Sequence, residues 1–148
     1  MRKRVYISVV VVALVGLFAA STAKAQMSGR LLTANIPFEF QVGNVSLPAG
    51  EYSIRQANTA SVVAVLRLSK DGRSLALVHM IPVIGKSQER AKLIFHRYGS
   101  QYFFAEVWTV GENSGLLVPK SRAERATQRE LAGLKPRIEE VALNAVNR

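Results

Sequence analysis

From Leu32 to Val42 every second residue is apolar: Leu32, Ala34, Ile36, Phe38, Phe40 and Val42, with Thr33, Asn35, Pro37, Glu39 and Gln41 between them. A period of two sends alternate side chains to opposite faces of an extended chain, so this stretch reads as a strand with one face in a core. Pro37 has no N–H to give to a ladder. That places the strand at a sheet edge or puts a bulge at the proline.

The turn chemistry that follows is that of a β protein. Gly43-Asn44 turns the chain, and Pro48-Ala49-Gly50 leads into a second strand that carries Tyr52 and Ile54 on one face. Asp71-Gly72 is a favoured two-residue hairpin loop, because both positions tolerate positive φ. A two-residue loop there sets Leu68 opposite Leu75, Leu66 opposite Leu77, Ala64 opposite His79 and Val62 opposite Ile81. This register gathers the leucines on one face and puts His79 among them. Val63, Val65, Val78 and Met80 make the other face apolar too, so the hairpin is expected to be central and covered on both sides. A second hairpin turns at Gly99-Ser100, pairing Phe95 with Phe104, His96 with Phe103, Arg97 with Tyr102 and Leu93 with Glu106. Leu116-Leu117-Val118 is a last short strand.

The tail changes character. Ser121-Arg122-Ala123-Glu124 is a capping box, in which serine caps the amides and glutamate reaches back. Gly133 and Pro136 end that helix. Ile138, Val141, Ala142 and Ala145 have helical spacing and predict a second helix from Arg137. Strands joined by Gly, Pro and Asn turns, followed by helices, define an all-β class. The expected architecture is an antiparallel β-sandwich of about seven strands with a helical C-terminal tail; a closed barrel is the alternative.

The N-terminus reads as an export signal. Arg2, Lys3 and Arg4 precede an uncharged, largely apolar run from Val5 to Ala20, and Ala23-Lys24-Ala25 fits the small-x-small rule. The run is slightly short for a spanning helix, which needs roughly 20 apolar residues. Cleavage is expected after Ala25, which divides the chain into a signal peptide at 1–25, a β domain at 26–118 and a tail at 119–148. The expected location is the periplasm or the exterior, with no membrane span after cleavage. The chain has no cysteine, so a lipidated N-terminal cysteine is excluded and stability rests on packing alone. The formal charge of +10 falls to +6 once Arg2, Lys3, Arg4 and Lys24 are removed. That surplus is dispersed, with no concentrated basic face, so nucleic acid is not an expected partner.

The inventory for catalysis is thin. The only aspartate, Asp71, sits in a turn, and His79 lies roughly 25 Å from it at strand rise, which excludes a Ser-His-Asp triad. On the register above, His96 and Glu106 have opposite parity and face opposite sides of the sheet, so no metal site and no cofactor is expected. Glu39, Glu51, Glu89, Glu106 and Glu112 are scattered as on any solvated surface. The feature that stands out is one face of the second hairpin, where Arg97, Tyr102, Phe104, Glu106 and Trp108 combine aromatic platforms with a charge of each sign. Sugar- and peptide-binding sheets use such mixtures. The competing reading makes these aromatics part of the core and pairs Arg97 with Glu106.

Pro37-Phe38-Glu39-Phe40-Gln41-Val42-Gly43, then Leu47-Pro48-Ala49-Gly50-Glu51-Tyr52, and later Phe95-His96-Arg97-Tyr98-Gly99 with Tyr102-Phe103 and Trp108, resemble a family of small exported bacterial proteins of unknown function. The resemblance spans about residues 31–124. It implies export and a β-rich fold, and it carries over no functional residue. The expectation that results is a non-catalytic envelope or extracellular module for a glycan, a peptide or an envelope protein. A barrel carrying a small apolar ligand is the second reading, and a hydrolase using Glu106 or a histidine the third. The oligomeric state is left open.

Overall fold

The structure is a computed structural model that describes residues 32–57, 64–131, 135–142 and 144–145. The export segment, Val62, Val63, Gly133 and Leu134 lie outside the described residues.

The alternating stretch forms β1 (Leu32–Ile36) and β2 (Phe40–Val42). Its dyad pattern of burial runs through both strands, from Leu32 to Val42. Pro37 neither sits at an edge nor makes a bulge: it breaks the strand, and the two pieces join different ladders. β1 pairs with β4 (Gly50–Gln56), whereas β2 pairs with β3 (Val45–Leu47). The remaining elements are β5 (Ala64–Lys70), β6 (Arg73–Ile84), β7 (Lys92–Tyr98), β8 (Gln101–Trp108), β9 (Ser114–Leu117), the helix α1 (Arg122–Glu130), β10 (Arg137–Ala142) and β11 (Asn144–Ala145). The described residues are thus all-β with one C-terminal helix, and their eleven strands exceed the expected seven because Pro37 splits one, Val45–Leu47 forms a strand of its own and the tail supplies two.

The strand order is β10-β7-β8-β9-β6-β5-β4-β1-β11. β6 joins the two halves: its first part pairs with β5, and Ile81–Ile84 pair with β9. Pro82 falls in that second part, opposite Leu116. Neighbours are antiparallel, except that β2 meets β8 in parallel at Gln41 and Phe103 and Gln88 bridges Val110 in parallel. The two ends of this order, β10 and β11, are separated by residue 143 alone, so the tail ties the edge at β7 to the edge at β1. The residues from Arg137, expected as a second helix, are strand: only Val141 of β10 is buried, and the open edge of β7 offers its backbone the partners that a weak apolar helical face could not.

The core lies between the halves. Ile36, Tyr52, Ile54, Leu66 and Leu68 come from one, and Phe40, Leu93, Phe95, Phe104 and Val107 from the other. The rings of Phe40 and Tyr52 meet edge to face with centroids 5.2 Å apart, and Phe40 meets Phe95 at 5.3 Å. The Pro48-Ala49-Gly50 turn is clamped from two sides. The Tyr52 hydroxyl donates to the Pro48 carbonyl, and Lys70 Nζ donates to Ala49 O at 3.0 Å. Gly50 has φ 149°, a backbone conformation that favours glycine, and a Cβ there would meet the end of the flexible Lys70 side chain at 2.6 Å and displace it from Ala49 O.

Both hairpins depart from their expected registers, at a bulge each. Asp71 and Gly72 take φ 50° and 75°, as the expected loop needs. Ser69 meets Ser74, but Leu68 then meets Ala76 rather than Leu75, and His79 faces Val65 rather than Ala64. Ala76, Val78 and Met80 therefore point inward. Leu75, Leu77 and Ile81 are exposed at 38%, 60% and 49%, so the hairpin is covered on one face only. His79 is exposed instead of sitting in the core. The second hairpin follows the expected pairs from Arg97–Tyr102 to Phe95–Phe104; there Ala105 is inserted, and Glu106 falls opposite Ile94 and Val107 opposite Leu93.

Candidate functional site

The bulge at Ala105 divides the five residues singled out from the sequence between two faces. Arg97, Tyr102 and Phe104 stay on the inner face with Leu93 and Phe95, and Phe104 is buried in the core at 2% exposure. Glu106 and Trp108 pass to the outer face, in line with Ile94 and His96. The expected shared platform is therefore two separate groups. The Arg97–Glu106 pairing does not form, since Arg97 Nη1 donates to Glu139 at 3.2 Å and Glu106 accepts from Trp108 Nε1 at 2.6 Å.

Trp108 is structural. It is 7% exposed, and its ring covers Gly115, its cross-strand partner, and Gly85, where an added Cβ would meet it at 2.7 and 2.5 Å.

His96 and Glu106 share the outer face, contrary to the parity expected for them, because the bulge reverses the second of the two. They are not partners. His96 Nδ1 lies 2.7 Å from Glu124 Oε1, and the Tyr98 hydroxyl donates to the same oxygen at 3.3 Å. Glu124 stands in the first turn of α1. Ser121, extended at φ −67° and ψ 168°, accepts from the Glu124 N–H at 3.1 Å, which is half of the expected capping box. The glutamate does not complete the box; its carboxylate enters the sheet and is 4% exposed. Thr127, one turn on, donates to Gln101 Oε1 at 3.0 Å. The helix is thus docked on the outer face of β7–β8 over Tyr98 and Phe103, whose rings meet edge to face at 5.8 Å. Burial, and then the charge and hydrogen bond of Glu124, push the Tyr98 phenol up to about 12.

Tyr102 is the one aromatic of the five that remains at a surface groove. Phe38 stacks on it at 3.9 Å with planes 11° apart, and the Arg97 guanidinium carbon lies 5.3 Å from the ring centroid. The ring is held rigid between them, leaving its edge and hydroxyl to a ligand. Beside it a groove of about 230 Å³ is lined by Glu39, Phe40, Gln41, Ser46, Ser100, Gln101 and Tyr102. Its floor is the meeting of β2 with β8, so the break at Pro37 builds it. Glu39 Oε1 accepts from Ser46 Oγ at 2.6 Å across one wall. Glu39 was set aside in the sequence as one of the scattered surface glutamates, and Gln41, Ser46 and Gln101 were passed over as ordinary polar residues of separate strands. The β2–β3 pairing sets Gln41 opposite Ser46, and the parallel contact of β2 with β8 brings Gln101 to them; alternation carries no signal for that second contact.

Among the described residues, no group of three or more His, Asp or Glu side chains converges to hold a metal ion. No described helix is long and apolar enough to cross a membrane. The class of protein these features define is an all-β chain with a docked C-terminal helix and a polar surface groove. No family model, curated protein or solved structure matches this chain.

Proposed function

We propose that this chain is an exported, non-catalytic binding module whose ligand, a glycan or a peptide, lies in the groove beside Tyr102. The observation that carries this reading is the lining: an aromatic edge fixed by Phe38 and Arg97, with amide, hydroxyl and carboxylate groups around it. Such a groove offers donors and acceptors that select a polar ligand, while the immobilised ring adds contact at little entropic cost. Export is supported by the basic start, the apolar run and the Ala23-Lys24-Ala25 site, together with the resemblance to small exported bacterial proteins. Non-catalysis is supported by the engagement of Glu106 with Trp108 and of His96 with Glu124, which leaves neither aimed at the groove. The carrier reading draws less support, because Tyr52, Phe40, Phe95 and Met80 fill the interior.

A glycan array and a peptide library, followed by titration with the best ligand, test the groove. Tyr102→Ala and Gln41→Ala should each weaken binding about tenfold while the protein stays folded, a loss of about 1.4 kcal/mol. If no ligand distinguishes folded Tyr102→Ala from the parent, the groove is not the site. The mass of the chain recovered from a bacterial host should correspond to loss of residues 1–25; an intact N-terminus would contradict export by cleavage.

A further inference from the structure

A second groove, on the other side of Arg97, has a different chemistry. It holds about 360 Å³ and is lined by Arg97, Tyr98, Gly99, Leu131, Lys135 and Arg137. Among the described residues, three cations and no carboxylate line it. Arg97 and Arg137 are direct cross-strand partners on β7 and β10, an arrangement of like charges that costs stability unless something lies between them. Glu139 contacts Arg97 at 3.2 Å and offsets one charge. The end of α1 at Leu131 adds roughly half a negative charge. About one and a half positive charges are left over among these groups.

We propose that this groove binds a phosphate-type oxyanion. Two guanidiniums and an ammonium suit a tetrahedral oxyanion: Arg137 can present a fork of N–H donors, while Arg97, whose Nε donates to Gly99 O at 2.8 Å and whose Nη1 donates to Glu139 at 3.2 Å, adds its charge and its remaining N–H groups. A carboxylate brings a single charge, whereas a phosphate monoester carries between about −1.5 and −2 at neutral pH, the closer match to the surplus. Against a water's share of roughly 30 Å³, the groove admits a phosphate with part of the group that carries it. The proposal does not depend on the Tyr102 groove, and the residues that test it, Lys135 and Arg137, do not line that groove.

Isothermal titration of the full chain with inorganic phosphate, glucose 6-phosphate and glucose tests the proposal. Binding of either phosphate species, weakened about tenfold by Arg137→Gln and by Lys135→Gln, supports it. Tighter binding of the ester identifies a phosphorylated ligand, and equal binding identifies free phosphate. Gln41→Ala, in the neighbouring groove, should leave these affinities unchanged. No binding of either phosphate species at millimolar concentration, affinities that ignore both cation substitutions, or glucose binding as well as its phosphate would each overturn it.

Discussion

Trp108 is the chain's only tryptophan, and it lies where only glycine leaves room for it. Gly85 and Gly115 together form the bed on which the indole rests. Gly115→Ala should therefore overpack this contact and destabilise the fold by about 1–3 kcal/mol; Trp108→Ala should cost about 3–5 kcal/mol. Urea denaturation measures both. As a single reporter, Trp108 should show blue-shifted emission and weak acrylamide quenching, and a ligand in the Tyr102 groove should not shield it further. Tyr98 gives a second test. Its phenol is raised from 10.0 to about 12, so the folded state holds a proton that the unfolded chain releases sooner. Its contribution to stability is complete below pH 10 and is lost as pH rises towards about 12. Ultraviolet titration of the tyrosines should show Tyr98 as a late phenol, with Tyr52 also raised by burial and by Asp71, and Glu124→Gln should bring Tyr98 alone earlier by removing the neighbouring charge. An unchanged late titration in that variant would contradict the contact.

The elements show what alternation can and cannot reveal. The strand character of residues 32–42, both hairpin corners and the first pairs of the second hairpin were legible, because turn residues and period-two burial are local properties of the chain. The bulges were not marked by any turn residue. Their physical cause is nevertheless visible afterwards: without the extra residue at Leu75 the imidazole of His79 would point inward, and without Ala105 the carboxylate of Glu106 would do so while Val107 pointed out. Burying a polar group without a partner costs more than a local break in the ladder. In the first hairpin this outcome leaves Leu75 and Leu77 in water; in the second it brings Val107 into the core. The tail was half legible. Ser121 marks the start of α1 correctly, but its docking depends on Glu124 reaching His96 and Tyr98, residues far away in sequence. Glu124→Ala leaves both without that partner and should destabilise the protein by about 1–3 kcal/mol, with hydrogen exchange speeding first at the amides of α1. Exchange that speeds equally everywhere would mean that the helix is not held by this contact.

At the scale of the molecule, the last residues complete what the first strands begin. β10 covers the edge of β7, and β11 covers the edge of β1. A chain ending at residue 135 exposes both edges and should self-associate with a lowered urea midpoint; a truncated chain that stays monomeric with the parent's midpoint would show these strands to be dispensable. The same tail carries Lys135 and Arg137 to the hairpin that holds Arg97, so both grooves flank one corner of the fold. Everything assigned to that corner rests on which residues of β7 and β8 face each other. Cross-strand nuclear Overhauser contacts measure this directly. Contacts of Glu106 with Ile94 and of Val107 with Leu93 are predicted, and they place Trp108 away from Tyr102. Contacts of Glu106 with Leu93 and of Val107 with Lys92 would remove the bulge, return Glu106 and Trp108 to the face of Tyr102, and contradict the site as drawn.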